Sequence, residues 1–325
     1  MAERTMLIGD IGGTNARFAL ADQCAPGFSH EETLQCADFA SADAAIAEYL
    51  DKVGAPQPDV ICLAAAGPVV DRQINVTNNH WVLSIDDLAA AFSTDAVRLM
   101  NDFEAIAWSI PILGEDDCLP IGLPDPHRLV EPGYTIGIIG PGTGLGKAGV
   151  VKRADSFVIL SGEAGHTGFA PETQVQLDIL TMLRERFDRV STEHIVSGPG
   201  IENVYWALTR IHGDKRPQLG AADIFARANE NSESRSFEAV QVFFEVLGQV
   251  AGDLAMSMGG NDGIYIAGGI AQRYPELLTN SQFRSGFENK GPHRVVMKRI
   301  PTLLITHPQP GLLGASFVAQ EMSRG

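Results

Sequence analysis

Short apolar runs broken by glycine alternate along the chain with segments of helical period. Residues 6–20, MLIGDIGGTNARFAL, run apolar to Asp10, break on Gly12-Gly13-Thr14-Asn15 and resume as an alternation from Ala16 to Leu20. That pattern predicts a β-hairpin with a turn of little side-chain bulk. Residues 135–151, TIGIIGPGTGLGKAGVV, repeat the plan around Gly140, Gly142, Thr143, Gly144 and Gly146.

The rest of residues 5–110 alternates strand and helix. A third strand is expected at 32–39. A helix carrying Ala44, Ile46, Ala47, Leu50 and Val53 follows, opened by Ser41 and closed at Gly54. Residues 59–66, DVICLAAA, are continuously apolar after Asp59, the mark of a strand covered on both faces. Then come a strand at 72–77, a helix over Ile85–Phe92 capped by Ser84, and a strand at 96–100 that delivers Asn101 and Asp102 to the start of another helix. Pro111, Pro120, Pro124, Pro126 and Pro132 punctuate a stretch with no sustained period, which reads as the first crossing between domains.

Beyond it, helices are expected near 174–187, over 200–211 and over 237–258. In the last of these Val240, Phe243, Phe244, Leu247, Val250, Ala251, Leu254 and Met258 keep an unbroken 3.6-residue period until Gly259-Gly260 stops it. Residues 264–267 form a short buried strand running into Gly268-Gly269-Ile270. A strand at 302–306 and a helix at 311–322 close the chain.

Glycine turns can present successive backbone N–H groups to an anion, and two such units suggest two similar halves serving one polyphosphate. Gly142-Thr143-Gly144-Leu145-Gly146-Lys147 comes near a Walker A loop. However, Ala148 replaces the required Ser or Thr, and strand-like residues follow where a helix should start, so the P-loop fold is rejected.

Composition narrows the classes. A chain of 325 residues with 45% hydrophobic content favours two domains. A formal charge of −16 argues against nucleic acid or an anionic membrane as partner. The absence of an uninterrupted apolar run of spanning length, and of a signal-peptide pattern, points to a cytoplasmic location. Cys24, Cys36, Cys62 and Cys118 are scattered, indicating neither a zinc site nor a disulfide framework, and are expected to be buried thiols.

DIGGTNARFAL, the Asn101-Asp102 pair, GPGTGLG, SGEAGH at 161–166, STEHIVSGPG at 191–200, IAGGI at 266–270 and PGLLGA at 310–315 together resemble the bacterial ATP-dependent glucokinases. These belong to the actin/hexokinase/heat-shock chaperone ATPase superfamily. The resemblance implies an α/β, two-lobed actin-like ATPase (ribonuclease H-like) fold with a central cleft. Its small domain would comprise residues 1–110 plus about 301–325, and its large domain residues 111–300. The related repressor and kinase family differs by a cysteine-rich zinc motif after the sugar-binding glutamate and histidine, and no cysteine follows Cys118 here.

By the same resemblance Gly9, Asp10, Ile11, Gly12, Gly13, Thr14 and Asn15 form the first phosphate loop. Gly142, Thr143 and Gly144 form the second, and Gly268, Gly269 and Ile270 the adenosine contact. Asp10 would hold Mg²⁺ through water. Asn78, Asn101, Asp102, Glu163, His166 and Glu193 would bind the sugar, with Asp102 the catalytic base. The implied reaction is ATP-dependent phosphorylation of glucose at its C6 hydroxyl to glucose 6-phosphate, the first step of glycolysis, by a homodimer. A kinase for mannose or an N-acetylhexosamine, or a catalytically weak sugar sensor, remains as an alternative.

Each residue also has a plainer reading. Asp102 could cap its helix, Glu193 could answer a helix dipole, His166 could pair with Glu163 on the surface, and Asp10 could satisfy turn amides. Lys147 is expected to point into solvent from its strand.

Overall fold

The computed structural model describes residues 4–55, 57–122, 133–154, 156–215, 217–232 and 234–324. The chain divides into two compact units. The first comprises Met1–Glu115, Ile159–Ser161 and His307–Gly325; the second comprises Asp116–Val158 and Gly162–Thr306. The divisions thus fall after residues 115 and 306, with residues 159–161 counted to the first unit.

The first unit opens with β1 (Met6–Ile11), β2 (Asn15–Ala21) and β3 (Phe28–Gln35), then α1 (Ala42–Lys52), β4 (Val60–Ala65), β5 (Gln73–Asn75) and β6 (Val82–Ser84). It continues with α2 (Ile85–Phe92), β7 (Val97–Asn101) and α3 (Asp102–Ser109). The sheet runs β3-β2-β1-β4-β7, with β1, β4 and β7 parallel and β2 antiparallel to β1. Side-chain alternation sorts it into two faces. Leu7, Ile11, Ile61 and Leu63 pack with α1 residues Ile46 and Tyr49 on one. Met6, Ile8, Cys62 and Ala64 pack on the other with Ala105 of α3 and Leu312, Ala315 and Val318 from the chain's final helix. The third strand lies earlier than its apolar pattern placed it, because Cys36–Asp38 turns into a 3₁₀ helix.

The second unit holds β8 (Cys118–Pro120), β9 (Gly133–Pro141), β10 (Leu145–Arg153) and β11 (Ser156–Gly162), then α4 (Gln174–Leu183), α5 (Gly198–Ile211), α6 (Ala221–Glu230) and α7 (Arg235–Met258). After β12 (Gly263–Ile266) come four short helices, α8 (Gly269–Arg273), α9 (Pro275–Thr279), α10 (Phe283–Glu288) and α11 (Arg294–Met297), and then β13 (Thr302–Ile305). The final helix, α12 (Pro310–Arg324), belongs to the first unit. The second sheet runs β11-β10-β9-β12-β13-β8. Part of the proline-punctuated stretch is therefore ordered structure: β8 pairs antiparallel with β13 at the sheet's edge, where Pro120 costs no ladder bond. Pro124, Pro126 and Pro132 lie outside the described residues.

α7 anchors this unit. Ser234 caps it by accepting the Phe237 amide at 3.0 Å, and Gly259 ends it at φ 69°. Phe243 and Phe244 meet edge to face at 5.2 Å within one continuous core. By length and composition α7 is the one helix among the described residues that could cross a membrane, but 72% of its most apolar window is buried inside this unit. It is therefore read as a core helix.

Candidate active site

The two glycine turns are built alike. β1 and β2 pair up to Ile11↔Ala16, leaving Gly12, Gly13 and Thr14 as the turn, and the Gly12 amide donates to the Asn15 carbonyl at 2.9 Å. β9 and β10 pair up to Pro141↔Leu145, leaving Gly142, Thr143 and Gly144, and the Gly142 amide donates to the Gly144 carbonyl at 2.8 Å.

In the first unit, Gly9 and Ile11 face the packed interior. A Cβ at Gly9 would stand 2.7 Å from Leu63 Cδ2, and Ile11 is fully buried, so neither position offers a side chain to a ligand, and both backbones run between β2 and β4. The Asn15 side chain accepts from Gln35 Nε2 at 2.6 Å. The loop of Asn78, singled out in the sequence for the sugar alone, also braces the turn: Asn79 Nδ2 donates to the Gly12 carbonyl at 3.2 Å, and Asn78, exposed at φ 57°, lies against Gly13. The consecutive asparagines of VTNNHW were the only signal for it.

Asp10 sits on the face of β1 covered by α12. Its carboxylate is 26% exposed and 3.9 Å from Arg17, and a Cβ on Gly311 would lie 3.2 Å from Asp10 Oδ2. Burial pushes the carboxyl above its ordinary value, and the Arg17 guanidinium offsets part of that shift. A desolvated carboxylate with so distant a cation partner suits Mg²⁺, which usually takes one or two carboxylates and completes its shell with water and phosphate oxygens. Among the described residues no cluster of three or more acidic, His or Cys side chains could hold a metal by itself.

β7 ends at Asn101, and the register carries Ile11 of β1 across Ala65 of β4 to Asn101. The helix cap belongs to Asn101 rather than Asp102: its Oδ1 accepts the Phe103 amide at 2.9 Å, and its Nδ2 donates to the Gly67 carbonyl at 3.1 Å. Asp102 is the first residue of α3 and half-buried, with Oδ1 accepting the same Phe103 amide at 3.0 Å.

In the second unit, β9 and β12 are parallel neighbours, so Gly142 and Gly268 emerge beside each other at carboxyl ends, where ligands of α/β sheets bind. Gly268 adopts φ 88°, and a Cβ there would stand 2.5 Å from the Pro141 carbonyl oxygen, so the close approach requires glycine. Nothing lies within 4 Å of a Cβ position at Gly142 or Gly269, so there is open space beside both. Ile270 is half-buried and Thr143 exposed.

Glu193 lies beside the second turn. Its Oε2 accepts the Leu145 amide at 2.8 Å, and a Cβ on Gly144 would be 2.5 Å from that oxygen. Gly144 therefore makes room for Glu193, a contact no local pattern announces. His166 pairs with Glu193, Nδ1 to Oε1 at 3.8 Å, rather than with Glu163, to which it is linked only by the His166 amide on the Glu163 carbonyl at 3.1 Å. Both Glu163 and His166 are exposed. The Gly198 amide, opening α5, donates to the Gly142 carbonyl at 2.8 Å and ties STEHIVSGPG to the same turn.

Two expectations are corrected. Lys147 does not reach solvent: it is 7% exposed, and its Nζ donates to the Ala164 carbonyl at 2.7 Å, because β10 is covered on both faces and alternation says nothing about outwardness there. Cys24 is exposed, while Cys36 and Cys62 are buried and Cys118 is intermediate.

The family model for glucokinase matches residues 7–322. A glucokinase of Nitrobacter hamburgensis is 41% identical over 316 residues, covering 97% of each chain. The crystal structure of a glucokinase from an Antarctic psychrotroph superposes with a TM-score of 0.87 at 34% identity, covering 98% of this chain and 99% of that one. That of the Balamuthia mandrillaris enzyme in complex with glucose shares the fold, with a TM-score of 0.78 at 22% identity and 99% and 94% coverage. The chain belongs to the glucokinase family, the ATP-dependent enzymes that phosphorylate glucose.

Proposed function

We propose that the chain transfers the γ-phosphoryl group of ATP to the C6 hydroxyl of glucose with Asp102 as general base and Asp10 as the carboxylate serving the metal. The observation that carries this is the parallel register Ile11, Ala65, Asn101. It puts the end of β1 and the start of α3 on one sheet edge, two interstrand spacings or about 10 Å apart. One carboxylate can then serve the phosphates while the other meets the acceptor hydroxyl.

The chemistry asks for positioning and charge neutralisation more than covalent help. Gly12 and Gly142 already donate within their turns, so the phosphates would be met by the amides of Gly13 and Thr14 and by those of Thr143 and Gly144. Gly268, Gly269 and Ile270 would contact adenosine. Mg²⁺, held by Asp10 through water, would supply charge neutralisation at the phosphates. Asp102 would take the hydroxyl proton as the oxygen attacks, a step to which a positioned base contributes about 10²–10⁴-fold.

Asn78, Asn101, Glu163, His166 and Glu193 would read the sugar hydroxyls. A site that pairs each hydroxyl rejects an analogue that leaves a buried group unpaired. The family resemblance supports a cytoplasmic homodimer. A coupled assay with glucose, mannose and N-acetylglucosamine tests the reading: turnover of glucose at the highest kcat/KM supports it, and preference for another hexose replaces it.

A further inference from the structure

Glu193 sits in a single 3₁₀ turn, Thr192–His194, too short to be held by its own backbone. The neighbouring side chain fixes it. His194 Nδ1 accepts the Ser191 amide at 3.0 Å, and the Ser191 hydroxyl lies 3.1 Å from the same nitrogen. This is one arm of a capping box, with histidine where a glutamate or glutamine usually reaches back. A backbone N–H can only donate, so Nδ1 must turn its lone pair to Ser191, and the proton of the neutral ring must sit on Nε2.

Ser191 is a firm anchor for that bond. It bridges antiparallel to Gly168, and on either side of it the Phe169 amide donates to the Val190 carbonyl at 3.1 Å and the Thr192 amide to the Thr167 carbonyl at 2.8 Å. The Thr192 hydroxyl adds a bond to the Gly165 carbonyl at 2.6 Å. The segment that carries His166 therefore holds Ser191, and His194 ties the turn of Glu193 to Ser191. The Phe187 ring stacks on the imidazole at 4.2 Å and sets its plane. Asn203 Nδ2 donates to the His194 carbonyl at 3.2 Å, and Ser197 Oγ to the Glu193 carbonyl at 2.8 Å.

We propose that His194 is a positioning residue for glucose, whose neutral imidazole holds Glu193 in place by accepting the Ser191 amide. The inference rests on the sugar-binding role given above to Glu193. A second proton on the ring would occupy Nδ1 and set N–H against N–H, so protonation breaks the cap. Burial holds the imidazole below its ordinary value of 6.5; Glu193 opposes that shift, and His166 and Arg189 add to it. The cap is therefore whole above 6.5 and is lost as pH falls through the folded value.

Nitrogen-15 NMR of the imidazoles in the full chain should show His194 as the Nε2–H tautomer, titrating below 6.5. Glucose Kd, measured by calorimetry, should rise at least about fivefold as pH falls through that midpoint, the scale of one lost hydrogen bond. His194→Gln can still reach the Ser191 amide, as in the usual capping box. It should bind glucose within about threefold of the parent at neutral pH and lack the acid step. His166 titrates in parent and variant alike, so the step that disappears belongs to His194. His194→Leu keeps an apolar contact for Phe187 but offers no acceptor, and should bind glucose at least about fivefold more weakly at neutral pH. In that variant KM for glucose should change more than kcat, as when binding rather than the transfer step is disturbed.

An Nδ1–H tautomer, a glucose Kd with no step at the His194 midpoint, or a folded His194→Leu chain that binds glucose like the parent would each overturn the proposal. Glu193→Ala separates it from the reading beneath it. If that variant binds glucose like the parent, the sugar role of Glu193 fails and the inference with it; if it binds weakly while His194→Leu does not, only the role of His194 fails.

Discussion

The Glu193 carboxylate spans two jobs: one oxygen accepts the Leu145 amide at 2.8 Å, and the other faces His166 at 3.8 Å. A residue proposed for the sugar is thereby fastened to the strand that leaves the second glycine turn. The position 2.5 Å from that oxygen, where a Cβ at Gly144 would stand, must stay empty.

Gly144→Val should accordingly act on glucose as much as on ATP. Pushing Glu193 off the Leu145 amide forfeits a charge-assisted hydrogen bond, so glucose Kd should rise by about ten- to a hundredfold. Calorimetry with glucose alone measures this. Unaltered glucose affinity in a folded Gly144→Val chain would remove Glu193 from the sugar site.

Asp102→Asn should lower kcat by about 10²–10⁴-fold with a much smaller change in glucose affinity. The capping role lies with Asn101, whose replacement by Ala should instead cost about 1 kcal/mol of stability. The two substitutions therefore separate in a thermal melt and an activity assay. Near-full kcat in Asp102→Asn would hand the position back to structure.

Asp10 makes a pH prediction. Its folded pKa is raised, so near the ordinary value of 3.8 the folded chain binds its proton more readily than the unfolded chain does. This contribution to stability is present at low pH and declines as pH rises from about 3.8 through the folded value. A cation reverses the preference, so the Tm gain on adding MgCl₂ and ATP should grow with pH across that window and shrink in Asp10→Asn. The same variant should lose about 10–100-fold in metal affinity, the usual cost of removing an outer-shell ligand. A Tm gain independent of both pH and Asp10 would remove Asp10 from the metal.

Packing in the second unit can be probed away from any ligand. A Cβ on Gly248 of α7 would collide with the Phe283 carbonyl of α10. Gly248→Ala should therefore cost about 1–3 kcal/mol by overpacking, despite the better helix propensity of alanine. Chemical denaturation reads this directly, and an unchanged midpoint would mean that the two helices can part at no cost.

Much of this molecule could be read from residue order. Ile85–Phe92 with its Ser84 cap was delimited to the residue, because a Ser before an apolar period is a local signal. The continuous apolar run at Val60–Ala65 marked a strand wholly buried between β1 and β7. Local pattern failed where the cause was remote. Lys147 is buried by elements distant in sequence, the Glu193 bond to Leu145 spans 48 residues, and β8 is a strand only because β13 arrives to pair with it. Asn101 took the cap from Asp102 because its amide also reaches Gly67, a contact 34 residues away.

The alignment of Ile11, Ala65 and Asn101 acts as a gauge block. Hydrogen-bonded strands can be spaced in only one way, and a slip of one residue would turn every side chain of β1 to the opposite face. The register therefore fixes which backbone positions lie opposite one another, and a slip would move Asp10 to the other face of the sheet. On the assignment proposed above, preference among hexoses would be retuned through the loops bearing Asn78, Glu163 and Glu193, while the placement of Asp10 relative to the start of α3 would stay set by the sheet.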